Sequence, residues 1–225
     1  QPFTALLARS IAAAKAAQPT DAQYAAVRRI WIDWLGVALA GTATPVARIL
    51  RDEYTSESGP PSGLGGRRGS VLGGGGASAA DAALVNGTAG HALDYDDVQE
   101  FIGHPAAVVV PPALAVAEGT GADGERIARA IIAGYDAARF VGTLAMPGHY
   151  DHGFHSTATI GTFGAAAAAA VLMDLDSEPI EHAIGLAATQ AAGLKSMFGT
   201  MAKPFHAGRA ASAGVVAARL AARGM

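Results

Sequence analysis

The sequence predicts an all-α protein, folded as a multi-helix bundle with glycine-rich loops. Apolar residues recur at three- and four-residue spacing along most of the chain, and alternating strand patterns are scarce. Alanine and glycine dominate the composition, and such small side chains allow helices to approach one another closely. Of the 225 residues, 51% are hydrophobic and only 16% are charged, which argues against a disordered chain.

The predicted helices occupy most of this single helical domain, which spans residues 1–225. Thr20 is a typical N-cap for the second helix, and Ser78 for the fourth. The helices are expected at residues 3–17, 21–41, 45–54, 79–93, 111–118, 124–145, 156–175, 179–192 and 204–223. Residues 56–76 are rich in Gly, Ser and Pro, which predicts a flexible connector with a short extended piece near residues 70–72.

Composition also excludes several functional classes. There are 16 basic and 19 acidic residues, so no global positive charge attracts nucleic acid. The absence of cysteine excludes a disulfide-stapled module. The most apolar windows, residues 105–117 and 164–175, are shorter than a membrane span, and the amphipathic N-terminus is unlike a signal peptide. A cytoplasmic protein without nucleic-acid or membrane partners is expected.

Polar residues are scarce, so the segments in which they gather are informative. Four such segments stand out: HALDYDD at residues 91–97, GHP at 103–105, HYDHGFH at 149–155 and KPFHAGR at 203–209. Each lies at the predicted end or start of a helix. The Gly73–Gly76 run, by contrast, lacks the Lys-Ser/Thr ending of a phosphate loop, so no nucleotide is expected.

The first two segments place acidic residues and a histidine between predicted helices. Three carboxylates follow a helix C-terminus, where the helix dipole disfavours negative charge. Either Asp94 is a site residue that sets the protonation state of a neighbouring His or Lys, or the cluster is a solvated turn. His104 precedes Pro105, which favours an extended backbone at His104 and the start of a helix at the proline. This histidine either points into a cleft or binds a backbone carbonyl.

The third segment has histidines at positions 149, 152 and 155. This spacing suggests zinc and, as an alternative function, a metal-dependent hydrolase. Glycines interrupt the run, however, and neither an HExxH glutamate nor a cysteine is present, so no metal is expected. His155 directly precedes a Ser156-capped helix, a position suited to acid–base chemistry or to binding a carboxylate.

The fourth segment places three cations along one edge of a predicted helix. Lys203, His206 and Arg209 are spaced three residues apart. They indicate either a cationic corner that binds a polycarboxylate substrate or ordinary surface charge on an alanine-rich helix.

Taken together, these segments resemble the MmgE/PrpD family, which contains 2-methylcitrate dehydratases and cis-aconitate decarboxylases. The stretches that carry the resemblance are AALVNGTAGHALDYDD (82–97), HPAAVVVPPALAVAE (104–118), GFHSTATIGTFGAAAAAA (153–170) and KPFHAGRAASAGVVAARLAARG (203–224). The resemblance covers almost the whole chain. Val98 and Gln99 depart from it, because many relatives carry Thr and then His or Trp there.

The resemblance implies the first part of that family's helical domain, a homodimer, and cofactor-independent chemistry on a small di- or tricarboxylate. It also implies a lid domain that this sequence does not contain, so a missing segment or a separate chain would supply it, and the helix near Met225 reads as still in progress. The residues that match the catalytic pattern are Asp94, His104, His155 and Lys203. Supporting substrate-binding roles are expected for Tyr95, Lys195, His206 and Arg209.

These assignments lead to a lyase that abstracts an α-proton. His104 and His155 share the acid–base work, Lys203 neutralises a substrate carboxylate, and Asp94 orients an adjacent histidine. A dehydratase of the 2-methylcitrate type is favoured. A decarboxylase or an epimerase would use the same kind of site. A further alternative is a catalytically incomplete half-protein, which dimerises or binds and needs a lid from another chain.

Overall fold

The computed structural model describes residues 3–55 and 68–225 and confirms the all-α prediction. Its α-helices are α1 Phe3–Ala14, α2 Asp21–Gly41, α3 Pro45–Tyr54, α4 Ala79–His91, α5 Ala106–Thr120, α6 Gly124–Ala145, α7 Gly148–Asp151, α8 Ser156–Thr159, α9 Gly161–Leu172, α10 Ser177–Gln190 and α11 Ala202–Ala221. A 3₁₀ turn covers Lys195–Met197. Most of the expected connector, residues 56–67, lies outside the described residues.

A small hairpin precedes α4, where the sequence predicts only a short extended piece. Strands β1 (Arg68–Ser70) and β2 (Gly76–Ser78) pair antiparallel. The buried Asn86 of α4 fixes this hairpin, because its amide donates to the Ser70 carbonyl and accepts from the Leu72 N–H. The three glycines of the turn, residues 73–75, have positive φ angles, which glycine adopts without steric cost.

Helices α4, α5, α9 and α11 form the buried centre of the bundle. The approach of α11 to α4 is so close that a Cβ on Gly208 would lie 2.2 Å from the Thr88 hydroxyl oxygen. A Cβ on Gly214 would likewise lie 2.4 Å from the Ala165 side chain of α9. The close helix packing expected from the small residues is therefore present, and it holds the start of α11 beside the end of α4.

Several helix boundaries differ from the sequence prediction. Helix α5 begins at Ala106, directly after Pro105, where the sequence indicates a helix start, and not at residue 111, so Pro111 and Pro112 lie inside it. The predicted helix 156–175 is divided at Ile160 into α8 and α9. Helix α4 ends at His91 instead of residue 93, and this earlier end leaves residues 92–105 free to form the loop that carries most of the acidic site residues.

Within residues 3–55 and 68–225, no single helix is long and apolar enough to cross a bilayer. Helices α2 and α3 reach that length and apolarity only as a pair, and that pair is bent by 88°.

Candidate acid–base site

A cleft of about 480 Å³ lies where the loop after α4 meets the starts of α5, α8 and α11. The four residues predicted to be catalytic, Asp94, His104, His155 and Lys203, all line this cleft. Met146, Tyr150 and Phe198 contribute its less polar surface. Segments from four separate parts of the chain therefore converge, as the interpretation of the motifs expects.

Asp94 connects a lysine to a histidine at the edge of the cleft. One of its carboxylate oxygens lies 2.5 Å from Lys203 Nζ and 3.5 Å from His104 Nε2. Partial burial raises the pKa of Asp94, but the hydrogen bond and the charge of Lys203 outweigh this, so the pKa falls below its usual value. Asp94 has a positive φ of 55°, a left-handed conformation that Asp tolerates better than most residues.

Asp96 is the buried anchor of the cluster. Both of its carboxylate oxygens lie 3.0 Å from His91 Nδ1, and one lies 3.4 Å from His104 Nδ1. Burial raises the pKa of Asp96, but hydrogen bonds from His104 and His91 outweigh that effect and lower it to about 2. Asp96 therefore stays ionised and accepts from Nδ1–H of the histidines, which leaves His104 Nε2 directed to Asp94.

His104 is placed to hold a proton. Its burial lowers its pKa, but the hydrogen bond and charge of Asp96, together with the charge of Asp94, raise the pKa above the ordinary value. Its backbone N–H donates to the Thr157 hydroxyl at 3.1 Å, which ties the start of α5 to α8.

Asp97 has a structural role. One oxygen accepts the Ala106 N–H at the start of α5, and the other accepts the Tyr135 hydroxyl at 2.8 Å. The carboxylate thus lies at the N-terminus of α5, where the helix dipole favours negative charge. From the sequence alone, Asp97 only follows the C-terminus of α4, where the dipole would disfavour it. Burial nevertheless raises the pKa of Asp97 to about 6.

His155 has the opposite electrostatic environment from His104. It precedes α8, is only 2% exposed, and donates its backbone N–H to the Gly193 carbonyl. Burial lowers its pKa to about 3, with further lowering by His91, His206 and Lys203. The ring is neutral at neutral pH, so the cleft combines one histidine that favours the protonated form with one that disfavours it.

The structure places the four predicted supporting residues outside the lining of this cleft. Tyr95 is 82% exposed on the loop. Lys195 donates to the Tyr150 carbonyl and lies 3.5 Å from the centre of the Tyr150 ring. His206 and Arg209 line a second pocket of about 440 Å³. His206 nevertheless contacts one residue of the cleft, because its Nδ1 lies 3.3 Å from Nδ1 of His155.

Sequence reasoning missed His91 and Asp96 as site residues. Both belong to the singled-out 91–97 segment, but an i, i+5 pair across a helix end follows no helical periodicity. It forms because α4 ends at His91 and the loop folds back. Val98, Gln99 and Glu100 also line the cleft. For Val98 and Gln99, the departure from the family pattern could have indicated a place in the site.

The geometry contradicts a zinc site built on the three histidines of segment 149–155. His149 Nε2 pairs with the Thr159 hydroxyl, and His152 Nδ1 with the Gly148 carbonyl. Within the described part of the chain, the one group able to converge on a cation comprises His91, Asp94, Asp96 and His104, whose ligand atoms lie within 4.8 Å of one another. Because the Asp96 carboxylate already accepts from both histidines, we interpret this group as an acid–base cluster.

Comparison with known proteins identifies the family. The model of the MmgE/PrpD N-terminal domain matches residues 5–225. The chain belongs to the MmgE/PrpD family. It is 28% identical to human cis-aconitate decarboxylase over 99% of this chain and 47% of that protein. It is 29% identical to the mouse cis-aconitate decarboxylase over 92% of the chain and 42% of that protein.

A fungal relative is similar over a shorter stretch. The cis-aconitate decarboxylase of Aspergillus terreus is 31% identical over 62% of the chain and 30% of that protein. The chain spans about half the length of the human MmgE/PrpD relative, and less of the others. The resemblance inferred from the motifs is thereby confirmed.

Proposed function

We propose that this MmgE/PrpD chain supplies the acid–base cluster of a lyase that acts on a small polycarboxylate. The observation that carries the proposal is the convergence of Asp94, His104 and Lys203 in one cleft that also contains His155. Decarboxylation is the first reaction to test, because the relatives reported above are named cis-aconitate decarboxylases. The chemistry needs no cofactor in this proposal.

The proposed roles follow from charge. Lys203 and a protonated His104 attract a substrate carboxylate, and they stabilise negative charge that develops when a carboxyl group leaves as CO₂. Asp94 holds Lys203 in place, since its oxygen lies 2.5 Å from Nζ. The carbanion then takes a proton from a histidine at the cleft. Water exclusion at the exposed side of Asp94 would require a lid, from a further segment or another chain.

Dehydration is the second candidate, and a specific observation favours it. The pKa of His104 is raised and that of His155 is lowered. A hydro-lyase needs such a pair, because one group removes the α-proton while another protonates the departing hydroxide. The 2-methylcitrate type of dehydratase would use this arrangement directly.

The test is turnover followed by proton NMR in D₂O. Cis-aconitate, 2-methylcitrate and citrate are each incubated with the protein, and loss of CO₂ is distinguished from loss of water by the product spectra. We expect His104→Ala and His155→Ala to lower turnover roughly 100-fold, within the range of positioned acid–base groups. His182→Ala, at an exposed position on α10, is the matched control.

The outcome separates catalysis from binding. Near wild-type rates in both site variants would refute the assignment. Binding of these acids without turnover would favour the incomplete half-protein that needs a lid from elsewhere.

A further inference from the structure

Two pockets share a wall made of two histidine rings. His155 lines the acid–base cleft, and His206 lines the second pocket. Their Nδ1 atoms lie 3.3 Å apart, so one ring donates a hydrogen bond to the other. Neither Nε2 atom makes a hydrogen bond with the described residues. The pair is therefore linked at its inner nitrogens and free at its outer ones.

Gly193 contacts both members of this pair. Its carbonyl accepts the His155 N–H at 3.0 Å. A Cβ at Gly193 would lie 3.4 Å from His206 Nδ1 and 2.9 Å from the Ala158 side chain. Its φ of 142° is also one that residues with a side chain rarely adopt. The positive φ and the close Ala158 side chain therefore favour glycine at this position, where His206 lies in ordinary contact with the backbone.

The second pocket gives His206 access to solvent. Leu194 and Met197, which line it, are both exposed, as is Arg209. Gln190 and Thr162 also line this pocket. His155, in contrast, is almost completely buried. A proton that enters through this pocket would reach the cleft without crossing the substrate-binding side.

We propose that His206 is the outer member of a two-histidine relay that carries protons between this second pocket and the cleft through His155. This inference rests on the proposed function. In the decarboxylation direction, His155 gives its Nε2 proton to the substrate carbanion, and the Nδ1 proton of His206 moves to His155 Nδ1. A water in the second pocket gives a proton to His206 Nε2, and the hydroxide that it leaves passes to solvent, which balances the proton taken up when CO₂ departs. The two rings end with their tautomers exchanged. In the dehydration direction each step is reversed.

The relay leaves both rings neutral before and after transfer, and the electrostatics favour this. Burial lowers the pKa of His155 and of His206, and the nearby His91 lowers both further. Lys203 and His104 add positive charge near His155. An imidazolium at His155 would be poorly solvated here, whereas simultaneous transfer through Nδ1 avoids that charge. His206 is accordingly a positioning and relay residue rather than one that touches substrate.

The first experiment needs no substrate. Long-range ¹H–¹⁵N NMR of the wild-type chain at neutral pH reports which ring nitrogens carry protons. The relay requires both rings neutral and complementary, with one Nδ1 protonated and the other bare. A cationic ring, or two Nδ1 atoms in the same state, would overturn it.

The second experiment measures turnover and chemical rescue. In His206→Ala we expect kcat to fall about 10-fold or more while KM changes little, because the substrate cleft is intact. Added imidazole should restore part of the rate by occupying the vacated space. The matched control, His182→Ala, should show neither loss nor rescue.

The two experiments separate the relay from the proposed function. Full turnover in His206→Ala, or a loss that imidazole does not restore, would overturn the relay while the function stands. If the wild-type chain turns over none of the acids, the proposed function fails, and the NMR measurement then decides the histidine pairing by itself.

Discussion

Asp96 directs both carboxylate oxygens at Nδ1 of His91, each at 3.0 Å, and its side chain has no solvent exposure. A buried carboxylate held in this way cannot exchange its partners for water. The same group also reaches His104, so the orientation of a cleft histidine is set from inside the protein rather than from the substrate side.

Asp96→Asn should lower the pKa of His104. Asp96 is the main group that raises this pKa, through a hydrogen bond and through its charge. A folded-state pKa above the unfolded value adds stability at pH below the unfolded pKa, and this stability is lost as pH rises through the folded pKa. The Asp96→Asn variant should lose this dependence of stability on pH. NMR titration of His104 measures the shift, with the exposed Asp151→Asn as control; an unchanged pKa would contradict the assignment.

Asp97→Asn should make the free energy of unfolding depend less on pH at acidic pH. The folded-state pKa of Asp97 is raised to about 6 by burial, so this carboxyl contributes stability when protonated, and that contribution is lost as pH rises from about 4 to 6. Urea unfolding at pH 4, 5, 6 and 7 checks this. Tyr135→Phe removes a hydrogen bond that lowers the folded-state pKa of Asp97, so the upper end of this pH range should rise while its lower end, set by the unfolded chain, stays in place. An upper end that does not move would argue against the contact.

Lys203→Met should reduce kcat/KM by roughly 100-fold, because the variant removes the cation beside Asp94 that would meet a substrate carboxylate. The pKa of Asp94 should rise at the same time, since Lys203 is its main lowering partner. Lys15→Met, which breaks ion pairs with Asp174 and Asp176 elsewhere on the surface, serves as control. Retention of both the activity and the Asp94 pKa would refute the role.

Gly208→Ala should destabilise the fold by about 2 kcal/mol or more, because the added methyl group overlaps the Thr88 hydroxyl and the Leu84 carbonyl. Gly185→Ala is the matched control. This glycine lies within α10, and nothing lies within 4 Å of the added carbon. The control should gain about 0.5–1 kcal/mol from helix propensity. Thermal or urea unfolding compares the two, and equal effects would contradict close packing at Gly208.

The sequence predicts the helices well and their junctions less well. Periodicity identifies α2, α3 and α6 with their observed ends. It places the helical pattern of α5 only from Pro111, whereas the His104-Pro105 junction indicates the start that the structure shows. The hairpin depends on Asn86, a tertiary contact that local composition does not encode.

The sequence likewise predicts some residues of the candidate site and misses others. The four residues that match the family pattern line one cleft. The pairing of His91 with Asp96 and the position of His206 behind His155 depend on how the loop and α11 fold back. These relations are three-dimensional and leave no spacing signature. The homodimer expected from the resemblance stays a prediction, which sedimentation would check.

The contact of glycine-containing α11 with α4 has a consequence for how the protein folds. Asp94 and Lys203 are far apart in the sequence, yet their ion pair forms only where Gly208 lets the two helices touch. The ionic contact therefore cannot precede assembly of the central helices. The pKa of Asp94 would then report on that assembly, because Lys203 lowers it only once α11 lies against α4.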